Sequence, residues 1–159
     1  MKNQAAGFER ILEVLDLLEI PYQVVGSLAS SMYGIPRSTA DVDLVVNLRA
    51  DRVDEFASQL KTDFYADPEM IKEALARRRS FNLIHYASAF KFDIFPLLED
   101  DYSQTQFHRR QFKETRLLSD EPIECAFATA EDTIPNKLRW YRAGGETSDQ
   151  QWRKPSACE

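Results

Sequence analysis

Two aspartates stand two residues apart in an apolar run, Asp41-Val42-Asp43-Leu44-Val45-Val46. Asp is depleted in strands, and a carboxylate withdrawn from water is costly unless a cation or hydrogen bonds compensate it. With a strand's period of two, Asp41 and Asp43 point to one face. A third acid repeats the anomaly in Lys91-Phe92-Asp93-Ile94-Phe95, where Phe92 and Ile94 turn to a core and Asp93 shares the other face with Lys91. Oxygen donors at fixed separation suit Mg²⁺, which commonly takes a few carboxylates plus substrate phosphates. Two such ions about 3.5–4 Å apart can activate an attacking oxygen and stabilise a leaving one in phosphoryl displacement.

Upstream, Val24-Val25 leads into Gly26-Ser27. Gly26 permits a tight turn, and Ser27 is a good N-cap for a helix running through Tyr33. Backbone N–H groups at a helix N-terminus seat phosphate oxygens. A lone Asp-x-Asp in a strand is more simply a solvated face. A phosphate cradle, two acids on the next strand and a third on a later strand are together the parts of a nucleotidyl-transfer site. Arg37 can reach a phosphate or pair with Asp41, and Thr39 can stabilise the turn or touch ligand. Lys137, on a later helix, can neutralise a triphosphate or remain solvated.

The order Gly26-Ser27, thirteen residues, Asp41-Val42-Asp43, then a strand acid at Asp93 resembles the nucleotidyltransferase superfamily of the polymerase-beta type. Arg37-Ser38-Thr39-Ala40-Asp41-Val42-Asp43-Leu44 is similar to the corresponding segment of AbiEii-like toxins and related bacterial proteins. Glu131-Asp132-Thr133-Ile134 and Lys137-Leu138-Arg139-Trp140 extend the likeness. The resemblance implies metal-dependent transfer of a nucleoside monophosphate from an NTP to an acceptor hydroxyl on tRNA or protein, in a toxin–antitoxin or phage-defence setting. It further implies a cognate toxin or antitoxin partner. On this reading Asp41, Asp43 and Asp93 are the metal-binding and catalytic acids and bind two Mg²⁺ ions. Gly26, Ser27, Arg37, Thr39 and Lys137 bind the nucleotide. Two other readings stand beside it: a non-enzymatic module that keeps the fold and binds nucleotide or a partner, and an antibiotic-type adenylyltransferase acting on small molecules.

These residues need a scaffold, and the rest of the sequence describes one. Phe8, Ile11, Leu12, Leu15 and Leu18 fall at helical spacing ahead of Pro21. Tyr22 to Val25 reads as a strand. Ala50 to Leu60 forms a second amphipathic helix, and Asp67-Pro68 starts another that runs to Arg78. Phe81 to Tyr86 and Phe90 to Phe95 read as strands joined by Ala87-Ser88-Ala89. A helix over Tyr102 to Arg110, strands at Phe112 to Leu118 and Pro122 to Phe127, and a helix from Thr129 to Tyr141 follow. The expected fold is α/β, a small mixed sheet flanked by helices. It forms a single domain over residues 1–152, with a disordered tail at 153–159.

Composition bounds the alternatives. The 159 residues are 43% hydrophobic and carry a net charge of −6, which suits a globular chain and not broad binding to nucleic acid or anionic membranes. Arg77-Arg78-Arg79 and Arg109-Arg110 read first as helix-end charges. His85 and His108 have no metal-ligand spacing. Cys125 and Cys158 make no disulfide framework. No signal peptide or membrane span is expected, and the protein is expected to be cytoplasmic.

Overall fold

The computed structural model describes residues 2–33 and 41–133. Helix α1 (Lys2–Leu17) leads to strand β1 (Tyr22–Val25), helix α2 (Gly26–Tyr33) and strand β2 (Asp41–Val46). A 3-10 turn (Ala50–Arg52) runs into α3 (Val53–Leu60), followed by β3 (Phe64–Tyr65) and α4 (Pro68–Ala76). The hairpin β4 (Phe81–His85) and β5 (Lys91–Pro96), helix α5 (Asp101–His108), and the pair β6 (Gln111–Thr115) and β7 (Ile123–Phe127) complete the described elements. The strands form one mixed sheet in the order β3-β4-β5-β2-β1-β7-β6. The α/β expectation of a mixed sheet flanked by helices holds.

Alternation builds the core. In β2, Val42, Leu44 and Val46 are buried while Asp41, Asp43 and Val45 are half-buried; β5 repeats this with Phe92 and Ile94 against Lys91 and Asp93. Leu83 pairs with Phe92 and Val24 with Leu44, so the buried set lies on one face across four strands. Helix α1 covers that face with Phe8, Ile11 and Leu15, joined by Val53, Phe56 and Leu60 of α3. Close approach needs Gly7: a Cβ there would stand 3.1 Å from both the His85 ring and the Phe92 ring. Phe92 is central, meeting Phe90 edge-on at 5.0 Å between centroids and Phe64 at 5.9 Å.

Local signals explain the element ends. The Asp67 side chain accepts from the Glu69 N–H at the start of α4, with Pro68 at its first position. Asp100 caps α5 by accepting from the Ser103 N–H at 2.8 Å. The segment leaving β7 is pinned by Asp132, buried and held by Arg109 at 2.6 Å and 3.1 Å and by the Thr129 hydroxyl at 2.9 Å. Tyr33 closes α2 by donating to the Ala128 carbonyl at 2.9 Å. Cys125 is buried without a disulfide, and burial pushes its thiol up to about 12.

Two expectations are corrected and one strand is added. Ser27 is not the N-cap of α2 but its second residue, because the turn is made by Gly26 itself at φ +67°. The two-residue strand β3 had no signal of its own; it forms because Phe64 and Tyr65 pair with His85 and Ile84. The β4–β5 loop is longer than Ala87-Ser88-Ala89, since His85 N–H donates to the Phe90 carbonyl and leaves Tyr86 in the loop. No helix among the described residues is long and apolar enough to cross a membrane.

Phe92→Ala should lower stability by about 3–5 kcal/mol, as expected for an aromatic side chain at the centre of a packed core. Urea denaturation of the variant checks this, and a loss under about 1 kcal/mol would show that the Phe64–Phe90–Phe92 cluster is not the packing centre.

Candidate active site

The face of the sheet opposite α1 carries the acids. Strands β2 and β5 run parallel in register, with Asp43 beside Asp93 and Asp41 beside Lys91. Residues paired in register share a face, so all three carboxylates and Lys91 project the same way. Strand β1 places Val25 beside Asp43 on the other flank, and β4 places Asn82 beside Asp93.

Gly26 follows Val25 directly and brings the start of α2 against Asp43. A Cβ on Gly26 would overlap the Asp43 carboxylate, and its positive φ is one that L side chains rarely adopt. Glycine is therefore required twice, once for the turn and once for the space that the acid occupies. The sequence pairing of Gly26-Ser27 with Asp43 is thus a direct contact.

One cation stands among these acids. The Lys91 ammonium stands 3.5 Å from Asp93 Oδ1, with the lysine side chain 43% and the aspartate side chain 19% exposed. Burial pushes the Asp93 carboxyl above the usual carboxylate range; Lys91 pulls it back, and Asp41 pushes it up. Asp43 also lies within hydrogen-bond reach of Asp93.

Among the described residues no three His, Cys, Asp or Glu side chains are drawn together as a ready metal-holding group. The strands instead align Asp41, Asp43 and Asp93, with Lys91 taking one carboxylate. The donors are all carboxylate oxygens, with that of Asp43 packed against Gly26, a set suited to a hard divalent cation. Arg37, Thr39 and Lys137 lie outside the described residues. Asn82, Ile84 and Tyr65 were not singled out from sequence. They continue the same face outward, since Ile84 pairs with Lys91 and Tyr65 with Ile84. Alternation would have found them, because Phe81, Leu83 and His85 are the buried set of β4 and Asn82 and Ile84 the other.

Solved structures share the fold that carries this face. The antibiotic-resistance factor ANT(2'')-Ia superposes with a TM-score of 0.55 at 12% identity, over 99% of this chain and 83% of its own. The candidate nucleotidyltransferase TM1012 of Thermotoga maritima gives 0.59 at 15%, over 96% and 93%. The lincosamide antibiotic adenylyltransferase LnuA, with lincomycin bound, gives 0.54 at 14%, over 96% and 94%. The chain has the nucleotidyltransferase fold. No protein-family model and no curated protein matches the sequence, and at these identities the likeness to nucleotidyltransferases is one of fold. The likeness to AbiEii-like toxins is carried by sequence motifs alone.

Gly26→Ala should destabilise the protein by about 1–2 kcal/mol from the left-handed backbone alone, and further through the clash with Asp43. In a double-mutant cycle with Asp43→Ala the losses should be less than additive, because the second change removes the obstacle. Strict additivity in urea titrations would show that the two residues do not meet.

A raised native pKa at Asp93 means that the folded state holds its proton more tightly than the unfolded chain. This contribution is present at low pH and is lost as pH rises from the ordinary value of 3.8 through the higher native one. The Tm of Asp93→Asn relative to the parent, without metal, should therefore climb across that window. A difference that stays flat with pH would contradict the burial assigned to this carboxyl.

Proposed function

We propose that this protein transfers a nucleoside monophosphate from an NTP to a hydroxyl acceptor in a Mg²⁺-dependent reaction. The observation that carries the proposal is the registered pair Asp43–Asp93 seated against the Gly26 turn. Few structural needs would explain two carboxylates side by side on adjacent central strands, one of them packed against a left-handed glycine. Asp41, Asp43 and Asp93 would hold the cations, two Mg²⁺ ions in the full reading. When bound, Mg²⁺ supplies charge neutralisation at the phosphates and lowers the pKa of an oxygen it holds.

The chain's own groups do the remaining work. Gly26 and Ser27 offer the first N–H groups of α2 to the triphosphate, where the helix end favours negative charge. Arg37, Thr39 and Lys137 are assigned to the same triphosphate on motif grounds. Asp93, beside Asp43 on the same face, would help take the proton from the acceptor hydroxyl as it attacks the α-phosphorus and pyrophosphate leaves. Rigid neighbouring strands hold these groups without reorganisation, which is how positioning and electrostatics contribute to phosphoryl chemistry.

The acceptor was expected to be tRNA or protein, with a toxin–antitoxin role and partner. That assignment rests on the Arg37-to-Leu44 motif resemblance. The small-molecule reading has a specific observation in its favour. Beyond Asp93 the face continues into Asn82, Ile84 at 39% exposure and Tyr65 at 46%, an uncharged and partly apolar strip. A polyanionic RNA would be better served by cations there. Both ANT(2'')-Ia, seen with adenylyl-2''-tobramycin, and LnuA, seen with lincomycin, take antibiotics on this fold.

The test offers Mg²⁺ and each labelled NTP with tRNA, with protein extract and with hydroxylated antibiotics as acceptors. Transfer should fall on the order of a thousandfold in Asp41→Asn/Asp43→Asn. Label on an antibiotic favours the small-molecule reading, and label on tRNA or protein the macromolecular one. Neither transfer nor Mg²⁺-NTP binding would sink the enzyme reading and leave the non-enzymatic module.

A further inference from the structure

We infer that Lys91 is a built-in counter-cation of the acid cluster, holding Asp93 in the metal-free protein and competing with a divalent cation for it. The inference rests on the nucleotidyl-transfer reading of this face, and it assigns a positioning role to a residue outside the proposed ligand set.

Lys91 sits two residues before Asp93 on β5 and directly beside Asp41 of β2, so it is flanked by acids along its own strand and across the sheet. Its ammonium is within 3.5 Å of Asp93 Oδ1. Its other lateral neighbour is Ile84, which offers no charge. Among the described residues, the only salt bridge made by either Lys91 or Asp93 is the one between them.

A purely stabilising role is a poor account of this lysine. Ion pairs with so exposed a partner contribute little to stability. A depleted residue type in a central strand, Lys, has instead been placed beside another, Asp, on a face that already carries two more acids. What the ammonium does is lower the repulsion among those acids while no other cation is there.

An ammonium and a metal ion cannot both take the same carboxylate oxygen at full strength. While Lys91 is engaged, Asp93 is a weak ligand and one of the three acids on the face is already met by a positive charge. A divalent cation gains Asp93 only by releasing the lysine, and the freed ammonium then stands beside the site with its charge unspent, able to meet an anion. Metal alone should therefore bind weakly, and metal arriving with a polyanion should bind better.

The probe is Mn²⁺ alone, followed by its paramagnetic resonance signal in the absence of nucleotide. Removing one unit charge at this distance from a half-exposed site should tighten Mn²⁺ binding by about tenfold or more. Lys91→Gln should show that gain, Lys91→Arg should keep the weak parental affinity, and Lys91→Gln/Asp93→Asn should lose the gain. Unchanged or weaker binding in Lys91→Gln overturns the inference, as does a gain that persists without Asp93. Circular dichroism confirms that each variant is folded, and Lys91→Met provides a second neutral variant. The label-transfer assay separates the two readings: a Mn²⁺ gain without any transfer sustains the role of Lys91 and removes the proposed reaction, whereas transfer without a Mn²⁺ gain does the reverse.

Discussion

The parallel pairing of β2 with β5 is the constraint on which the rest of the structure depends. It brings Asp43 beside Asp93 although they are fifty residues apart in sequence. Parallel neighbours cannot be joined by a tight turn, so the chain must leave the sheet and return. Here the return passes through α3, β3, α4 and the β4–β5 hairpin. The register is well defended. A slip of one residue would turn Phe92 and Ile94 outward and press Lys91 and Asp93 into the packed rings of Phe64 and Phe90. The hydrophobic face thereby sets the alignment of the polar one, and the placement of the acids is a by-product of how tightly their neighbours pack.

The same pairing creates an electrostatic burden. Adjacent carboxylates on central strands repel, and partial burial of Asp93 adds the loss of hydration. Two features of the fold bear on it: Lys91 supplies a positive charge to Asp93, and α2 starts against Asp43, where a helix end favours negative charge.

Much of this could be read from the sequence because the alternation is strong. Asp41-Val42-Asp43-Leu44 and Lys91-Phe92-Asp93-Ile94 declare both strands and both faces. Asp67-Pro68 announced α4 through its own capping chemistry. What was missed has a common cause: it depends on pairing and not on local preference. Reading the hairpin loop as Ala87-Ser88-Ala89 puts Tyr86 opposite Phe90 and hence Leu83 opposite Asp93. The actual pairing is His85 with Phe90, which brings Asn82 to Asp93. Matching buried positions would have resolved it, since His85 and Phe90 are buried and Tyr86 is exposed. The Arg109–Asp132 pair was out of reach in a different way. Arg109 reads as a helix-end charge and Asp132 as part of a motif, and only the folded chain shows the two locked together.

Neighbours sharing 12–15% identity over nearly the whole chain indicate which features the architecture itself demands. A mixed sheet can be built from many apolar sequences, so identity decays while the fold survives. The requirements at Gly26 and Asp43 are narrower. Any side chain at position 26 collides with the carboxylate at 43, so position 26 stays glycine for as long as Asp43 is present. The outer strip of Asn82, Ile84 and Tyr65 carries no such mutual constraint, since Ile84 and Tyr65 stand partly in solvent at the end of the sheet. The face therefore divides physically into an inner part, locked by backbone and charge, and an outer part free to change. In a transfer reaction those are the properties wanted for a fixed donor and a variable acceptor. The division follows from the strand order, because the glycine turn belongs to β1 near the middle of the sheet and the permissive strip to β3 and β4 at its edge.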